Sequence, residues 1–300
     1  MVTLQHISLE RLGLVLTKIL LTGASGLVGR PTATLLKETG YEVVEVDSSI
    51  ADLTDRTETI NLFSNERPDA VVHLAAAVSG IGGNRDFPAD ILSTNVRIGL
   101  NVVDAAVLSG VPRILAMGSG CIYPDFRSSS KLQEEQIWLG PPHPSEAGYA
   151  HSKRLLLSHL EAASKQFGLS FVYAISGNIY GEWDNFDLRS AHVTPSLVRK
   201  FHEARLSNRT ATVWGTGIAR RDFTYSRDMA RALATLLETG EGPINVGSGN
   251  IHSVGEIVEV LQRLCDVNYL WQKEMPDGQI DRFYDLTRLE RLGFRSEVSL

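Results

Sequence analysis

A tyrosine and a lysine stand four residues apart in the segment GYAHSKR, as Tyr149 and Lys153. Side chains at this spacing share one face of a helix, so the ammonium should lie one turn from the phenol. A nearby positive charge favours the ionised tyrosine and lowers its pKa from about 10. Ser119, thirty residues upstream of the tyrosine, offers a second hydroxyl. These residue types predict chemistry that moves a hydride and a proton together.

A glycine-rich loop stands between an apolar segment that favours a strand and a segment that favours a helix. In that context glycines let the main chain approach a pyrophosphate, while the helix N-terminus supplies N–H groups and a favourable dipole. We therefore predict a dinucleotide site here; a plain strand-to-helix turn is the alternative. The loop residues expected to bind the cofactor are Gly23, Ser25, Gly26, Leu27, Val28 and Gly29.

Two aspartates follow the second predicted strand, Asp47 at its end and Asp52 shortly after. A carboxylate at the end of this strand accepts hydrogen bonds from the adenosine ribose and repels a 2′-phosphate. Asp47 therefore favours NAD over NADP, unless it is only an exposed turn residue. Asp52 is a second candidate, expected near the adenine.

The bulk composition limits the class of protein. The hydrophobic content of 43% and charged content of 21% are ordinary for a globular chain. A net charge of −6 argues against nucleic acid as the main partner. Two cysteines cannot form a disulfide framework, which favours a reduced, cytoplasmic setting. We see no apolar run of the ~20 residues that a membrane helix needs, and no metal site.

Short apolar segments alternate with helix-like segments through the first half of the chain, which predicts a Rossmann-type, doubly wound parallel sheet. A smaller C-terminal lobe should bind substrate over the carboxyl ends of the strands. The predicted strands are Lys18–Thr22, Glu42–Val46, Ala70–Leu74, Arg113–Met117, Ser170–Ile175 and Ile244–Val246, and the predicted helices are 28–38, 56–64, 90–108, 149–167, 193–204 and 227–237.

The expected domain boundaries follow from this pattern. Residues 1–17 form an N-terminal extension of unknown role. Residues 18–178 and about 219–248 form the dinucleotide-binding domain, and about 179–218 with 249–300 form the nucleotide-sugar lobe. The two long helices predicted at 90–108 and 149–167 carry apolar residues on more than one face. These are Ile91, Val96, Leu100 and Val103 in the first helix and Leu155, Leu156, Leu157 and Leu160 in the second. A helix that is apolar around much of its circumference needs a second partner, so we predict a homodimer.

Longer strings resemble one family closely. The Tyr-x-x-x-Lys pattern with an early glycine loop is typical of extended short-chain dehydrogenases/reductases, and within them the chain resembles the GDP-L-fucose synthase family. The strings that carry this resemblance are GSGCIYP (118–124), GYAHSK (148–153), NIYGEWDNFD (178–187), AHVTPSL (191–197), VWGTG (213–217), RRDF (220–223) and PDG (276–278).

The resemblance implies an activity: epimerisation of GDP-4-keto-6-deoxy-D-mannose at C3 and C5, then reduction at C4 with NADPH to give GDP-L-fucose. Ser119 and Tyr149 would bind the C4 oxygen, with Tyr149 as proton donor and Lys153 on the nicotinamide ribose. Cys121 and His192 would be the acid/base pair. The family's nicotinamide contacts match Asn178 and His192, and its nucleotide-sugar contacts match Ser119, Asn178, Lys200, Trp214, Arg221 and Asp277.

Two alternatives stay open from the sequence. The chain could perform only one half of this reaction, as an epimerase or as a 4-reductase. The cofactor is NADPH by the resemblance, whereas Asp47 favours NAD. A binding protein without catalysis is a third possibility, which the intact set of Ser119, Tyr149 and Lys153 argues against.

Overall fold

The computed structural model describes residues 16–78, 80–125, 131–275 and 280–300. Asp277 and nearly all of the N-terminal extension lie outside these residues. Leu16 and Thr17 are the described part of the extension. Leu16 is buried in a core cluster, and Thr17 donates hydrogen bonds to Asp69 through its main-chain N–H and its hydroxyl. Core packing therefore begins two residues before the first strand.

A six-stranded sheet forms the centre of the molecule. The strands of the chain are β1 (Lys18–Thr22), β2 (Glu42–Val46), β3 (Ala70–His73), β4 (Arg113–Met117), β5 (Ser170–Ser176), β6 (Asn178–Tyr180), β7 (Ala211–Trp214), β8 (Arg220–Tyr225), β9 (Gly242–Val246), β10 (Ile251–Ser253), β11 (Tyr269–Gln272) and β12 (Asp281–Arg282). The central sheet has the order β2-β1-β3-β4-β5-β9, and every pair is parallel. The predicted doubly wound fold is confirmed, with each expected strand within a residue or two of its position.

Helices cover both faces of this sheet, and others pack on the smaller sheets that follow it in the chain. They are α1 (Gly29–Glu38), α2 (Arg56–Glu66), α3 (Ile81–Asp86), α4 (Pro88–Leu108), α5 (Ala147–Phe167), α6 (Val193–Ser207), α7 (Ser226–Thr239), α8 (Val254–Cys265) and α9 (Thr287–Arg291). Helix α4 packs against α2 and α5, and α1 packs against α7. Strands β3 and β4 are buried along their whole length, as parallel strands covered on both faces must be.

One sequence expectation about α4 is wrong. Among the described residues this helix is long and apolar enough to cross a membrane, by length and composition only. The core helix of a water-exposed domain passes the same test. Here Val102, Val103, Ala105 and Ala106 are fully buried in the core cluster that α4 shares with the sheet and α5.

Smaller sheets lie after β5 in the chain. Strands β10, β8 and β12 are neighbours in one sheet, and β6 pairs with β8. Strand β7 pairs with β11. Helices α6 and α8 pack on these strands around Phe201, Val213 and Val258, which form a third core cluster. Strand β9 and helix α7 return to the central sheet, as the resumed alternation predicts.

Candidate active site

A cavity of about 760 Å³ follows the carboxyl edge of the central sheet. Residues at or just beyond the ends of five neighbouring strands line it. They are Gly23 after β1, Asp47 after β2, Leu74 after β3, Gly118 after β4 and Ser176 at the end of β5. Open α/β sheets bind ligands at this edge because the loops that leave parallel strands meet there.

The glycine loop between β1 and α1 forms one wall of the cavity. Gly23 has a φ of +71°, and a Cβ there would lie 2.7 Å from the main-chain nitrogen of Ala75. At Gly29 a Cβ would lie 2.1 Å from the carbonyl oxygen of Gly23. Both positions therefore need glycine for the loop to close onto α1. All six predicted loop residues line the cavity.

Two carboxylates lie on the cavity wall beyond β2, as the sequence predicts. Asp47 accepts hydrogen bonds from the Ser49 hydroxyl and main-chain N–H at 2.6 and 2.9 Å, which hold its pKa below the usual range. Asp52 accepts the same pair of bonds from Thr54, with the same effect on its pKa. Both side chains are therefore ionised at neutral pH.

Ser119, Tyr149 and Lys153 come together in the cavity. Ser119 follows β4, and the other two lie on the first two turns of α5. The Lys153 ammonium donates a 2.9 Å hydrogen bond to the carbonyl oxygen of Met117 and lies 5.7 Å from the centre of the Tyr149 ring. Burial lowers the pKa of Lys153 to about 8.

The expected lowering of the Tyr149 pKa is wrong for this structure. Burial raises the pKa of Tyr149, and the thiol of Cys121 and the carboxylate of Glu146 raise it further. A phenolate away from water is disfavoured more strongly than the neighbouring ammonium stabilises it. Tyr149 therefore holds its proton at neutral pH.

Cys121 and His192 differ in their access to the cavity. His192 lines the cavity from the residue before α6, where its main-chain oxygen accepts from the N–H of Ser196. Cys121 is buried in a short 3-10 turn and is not part of the lining; its N–H lies 3.4 Å from the Ser119 hydroxyl oxygen. Burial, and then the charge of Glu146, raise the pKa of the Cys121 thiol to about 12.

The nucleotide-sugar residues expected from the resemblance are dispersed. Asn178 lines the cavity as the first residue of β6. Lys200 and Trp214 lie outside the lining and contact each other, with the ammonium 4.9 Å from the ring centre. Arg221 also lies outside the lining, but its register partner on β12 is Arg282, which lines the cavity.

The lining residues that the sequence analysis did not name include Glu146, Arg282 and Tyr284. Glu146 and Arg282 form an ion pair with an oxygen–nitrogen distance of 2.9 Å. Burial alone would raise the pKa of Glu146, but the charge and hydrogen bond of Arg282 outweigh it and the pKa is lowered. Glu146 stands three residues before Tyr149, which is a signal that the sequence does contain. Arg282 reaches the cavity because β12 pairs with β8, and Tyr284 reaches it because its neighbours Phe283 and Asp285 bond to the main chain of Leu132.

Comparison with known proteins gives consistent matches. Residues 19–247 match the NAD dependent epimerase/dehydratase family. The chain is 35% identical over 288 residues to GDP-L-fucose synthase of Sinorhizobium fredii, covering 94% of this chain and 91% of that protein. It is 31% identical over 298 residues to GDP-L-fucose synthase of Escherichia coli, covering 94% and 92%. A solved structure, a GDP-L-fucose synthetase from Naegleria fowleri bound to NADP, is 28% identical with a TM-score of 0.86, covering 94% of this chain and 90% of that one.

Proposed function

We propose, from the premise that the chain belongs to the NAD dependent epimerase/dehydratase family and is a relative of the GDP-L-fucose synthases, that it converts GDP-4-keto-6-deoxy-D-mannose to GDP-L-fucose. It is a nicotinamide-dependent nucleotide-sugar epimerase/reductase. The observation that carries the specific proposal is one cavity that joins the hydroxyls of Ser119 and Tyr149 to the imidazole of His192, with the thiol of Cys121 beside Ser119.

The glycine loop fits a dinucleotide. Gly23 and Gly29 leave room that a Cβ would fill, so the main chain at the start of α1 is open to a pyrophosphate. Asp47 and Asp52 would hold the adenosine end, and Lys153 and Asn178 the nicotinamide end. Bound there in its reduced form, a nicotinamide would supply the hydride for C4.

Tyr149 is the proton donor for the reduction. Because its pKa is raised, the phenol is protonated at neutral pH and can give its proton to the C4 oxygen as the alcohol forms. Ser119 donates a second hydrogen bond to the same oxygen. In the epimerisation, these two donors stabilise the enolate charge that develops when a proton leaves C3 or C5.

His192 and Cys121 exchange the protons of the epimerisation. Inversion of a carbon needs a base on one face of the sugar and an acid on the other. The raised pKa of Cys121 makes this thiol a proton donor at neutral pH, which leaves His192 as the base.

A second candidate function is C4 reduction without epimerisation. The burial of Cys121 outside the cavity lining favours it, since an acid must reach the sugar to deliver its proton. One experiment separates the two: incubation with GDP-4-keto-6-deoxy-D-mannose in D₂O, with and without reduced cofactor. Deuterium at C3 and C5 together with loss of absorbance at 340 nm supports the bifunctional enzyme. Loss of absorbance without deuterium supports the reductase, and neither signal would contradict both.

We infer that the preferred cofactor is NAD(H). The ionised Asp47 lines the cavity just after β2, and a carboxylate at that position of the fold would repel a 2′-phosphate of NADP. The lysine and arginine side chains among the described lining residues are Lys153 and Arg282, and they bond to Met117 and Glu146. Neither is available to balance a 2′-phosphate beside Asp47.

We also propose a homodimer that pairs α4 and α5. Several apolar residues that suggested a second partner, including Leu156, Leu157 and Leu160, are buried within the chain itself. Leu100 and Leu155 remain more than a third exposed, and they would form the contact. A monomeric mass by light scattering at micromolar concentration would contradict the dimer.

The acidic net charge argues against nucleic acid or membrane as a partner, and the free cysteines support a cytoplasmic setting.

A further inference from the structure

Tyr284 occupies a slot between two glycines in the cavity wall. A Cβ on Gly120 would lie 1.8 Å from the Tyr284 hydroxyl oxygen and 2.9 Å from its Cε1. A Cβ on Gly177 would lie 2.9 Å from Cε2, on the other edge of the ring. The ring therefore fits only because both neighbours lack a side chain. Gly120 and Gly177 line the cavity as well.

The main chain fixes this ring firmly. The residues on either side of Tyr284 bond to Leu132. The N–H of Leu132 donates to the carbonyl oxygen of Phe283 at 2.8 Å, and the carbonyl oxygen of Leu132 accepts from the N–H of Asp285 at 2.9 Å. The Tyr284 ring also packs against Tyr123, with 6.1 Å between ring centres. A phenol held in this way loses little conformational entropy when it binds a ligand.

The hydroxyl of Tyr284 makes no hydrogen bond to another described residue. The side chain is only 4% exposed, but the hydroxyl oxygen is not among the fully buried polar atoms that lack a partner, so it opens into the cavity that Tyr284 lines. By contrast, the buried hydroxyl of Tyr123 donates to Asn245 at 2.6 Å. A fixed hydroxyl that opens into the cavity without a protein partner can exchange a water for an oxygen of a ligand, so the Tyr284 hydroxyl is positioned to bind a molecule that enters the cavity. Its position against Gly120 places it beside Ser119 and Cys121, where the hexose would react.

We propose that the Tyr284 hydroxyl binds an oxygen of the hexose ring of the nucleotide sugar, and so helps to select the sugar. This rests on the proposed function, which places a nucleotide sugar in the cavity. Burial raises the pKa of Tyr284 to about 12, so the hydroxyl keeps its proton and donates. It adds a binding contact and takes no part in the proton transfers assigned to Tyr149, Cys121 and His192.

The test compares two tyrosines that each lose only a hydroxyl. In Tyr284→Phe, kcat/KM for the 4-keto sugar should fall about 10- to 100-fold through KM, because a sugar oxygen is left unpaired. The thermal midpoint should not fall, since no bond within the protein is lost. In the control Tyr123→Phe the midpoint should fall, because the bond to Asn245 is lost, while kcat/KM stays within about twofold. An unchanged KM in Tyr284→Phe would overturn the proposal, and so would a lowered thermal midpoint without a rise in KM.

A binding measurement keeps the inference separate from the catalytic proposal. Calorimetry compares GDP-mannose with GDP on wild type and on Tyr284→Phe. We expect Tyr284→Phe to lose about 10-fold in affinity for GDP-mannose and to keep its affinity for GDP. An equal loss for both ligands would place the hydroxyl on the nucleotide and overturn the sugar assignment. A wild type that binds both ligands equally would overturn it too. If the wild type turns over no keto sugar, the catalytic proposal fails while this comparison still decides the role of Tyr284.

Discussion

Glu146 and Arg282 form an ion pair across the cavity wall, with 2.9 Å between oxygen and nitrogen, although they are 136 residues apart in the chain. Glu146 ends the 3-10 turn before α5, and Arg282 ends β12. The pair therefore ties the start of the helix that carries Tyr149 to a strand of the smaller sheet. It also sets the charge next to Cys121, because Glu146 raises and Arg282 lowers the pKa of that thiol.

Removing the charge of Glu146 should make Cys121 more acidic. In Glu146→Gln the thiolate loses a repelling neighbour, so the pH dependence of alkylation of Cys121 by iodoacetamide should move to lower pH. Peptide mass spectrometry measures this rate, and Cys265 in the same chain is an internal control whose profile should not move. We also expect unfolding to require about 1–3 kcal/mol less, because the charge attraction between Glu146 and Arg282 is lost. A Cys121 profile identical to that of wild type would contradict the coupling.

Tyr149→Phe should abolish reduction and leave dinucleotide binding nearly unchanged. The change removes a proton donor but little volume, and general acid catalysis contributes about 10²–10⁴-fold. Absorbance at 340 nm follows the reduction, and fluorescence titration follows binding of the reduced cofactor. Reduction at a near wild-type rate would show that another group protonates the C4 oxygen.

Cys121→Ser and His192→Asn should block inversion but not hydride transfer. Serine keeps the size of the side chain but is a far weaker acid, and asparagine keeps a hydrogen bond but cannot titrate. With the 4-keto sugar and reduced cofactor, each variant should release a GDP-6-deoxyhexose other than GDP-L-fucose, identified by NMR. Fully inverted product at wild-type rates from both variants would make the two residues structural and end the bifunctional proposal.

Asp47→Asn should shift the cofactor preference toward NADPH. The change removes the repulsion of a 2′-phosphate but keeps an acceptor for the N–H of Ser49. We expect the ratio of kcat/KM for NADH over NADPH to fall about 10-fold or more. Asp52→Asn is the matched control, and it should change the ratio less because Asp52 is expected near the adenine. A wild type that already prefers NADPH would refute the assignment of Asp47.

The buried His73 should make stability depend on pH. Burial, and then the charge of Lys153, lower the pKa of His73 to about 3, and its Nδ1 lies 2.8 Å from the Thr22 hydroxyl. Below about pH 6.5 the unfolded chain takes up a proton at this imidazole and the folded chain does not. The stability that the neutral, buried imidazole of His73 gives the folded chain is therefore complete above pH 6.5 and is lost as the pH falls toward 3. About 2 kcal/mol should disappear between pH 7 and pH 5.

Urea unfolding at the two pH values measures this effect. His73→Gln should lose about 2 kcal/mol less than wild type between pH 7 and pH 5. His202→Gln is the control, because that imidazole is in solvent in the folded chain as well. Equal losses in wild type and His73→Gln would show that His73 does not set the slope.

The sequence by itself determined the parts of the site that depend on local spacing. The glycine loop follows from Gly23 and Gly29 between a strand and a helix, and the meeting of Tyr149 with Lys153 follows from four residues of helix. The parallel sheet follows from alternating apolar and amphipathic segments. Each of these patterns is visible within a short segment of the sequence, so no contact between distant segments is needed to predict it.

Only the tertiary structure decided the electrostatics and the far wall of the cavity. The raised pKa of Tyr149 and the burial of Cys121 depend on how completely the packed chain excludes water. The ion pair of Glu146 with Arg282 depends on the pairing of β12 with β8, and the slot that holds Tyr284 depends on the bonds of Phe283 and Asp285 with the distant Leu132. Register between such distant segments is set by packing of the whole fold, and the local pattern of a two-residue strand contains no information about it.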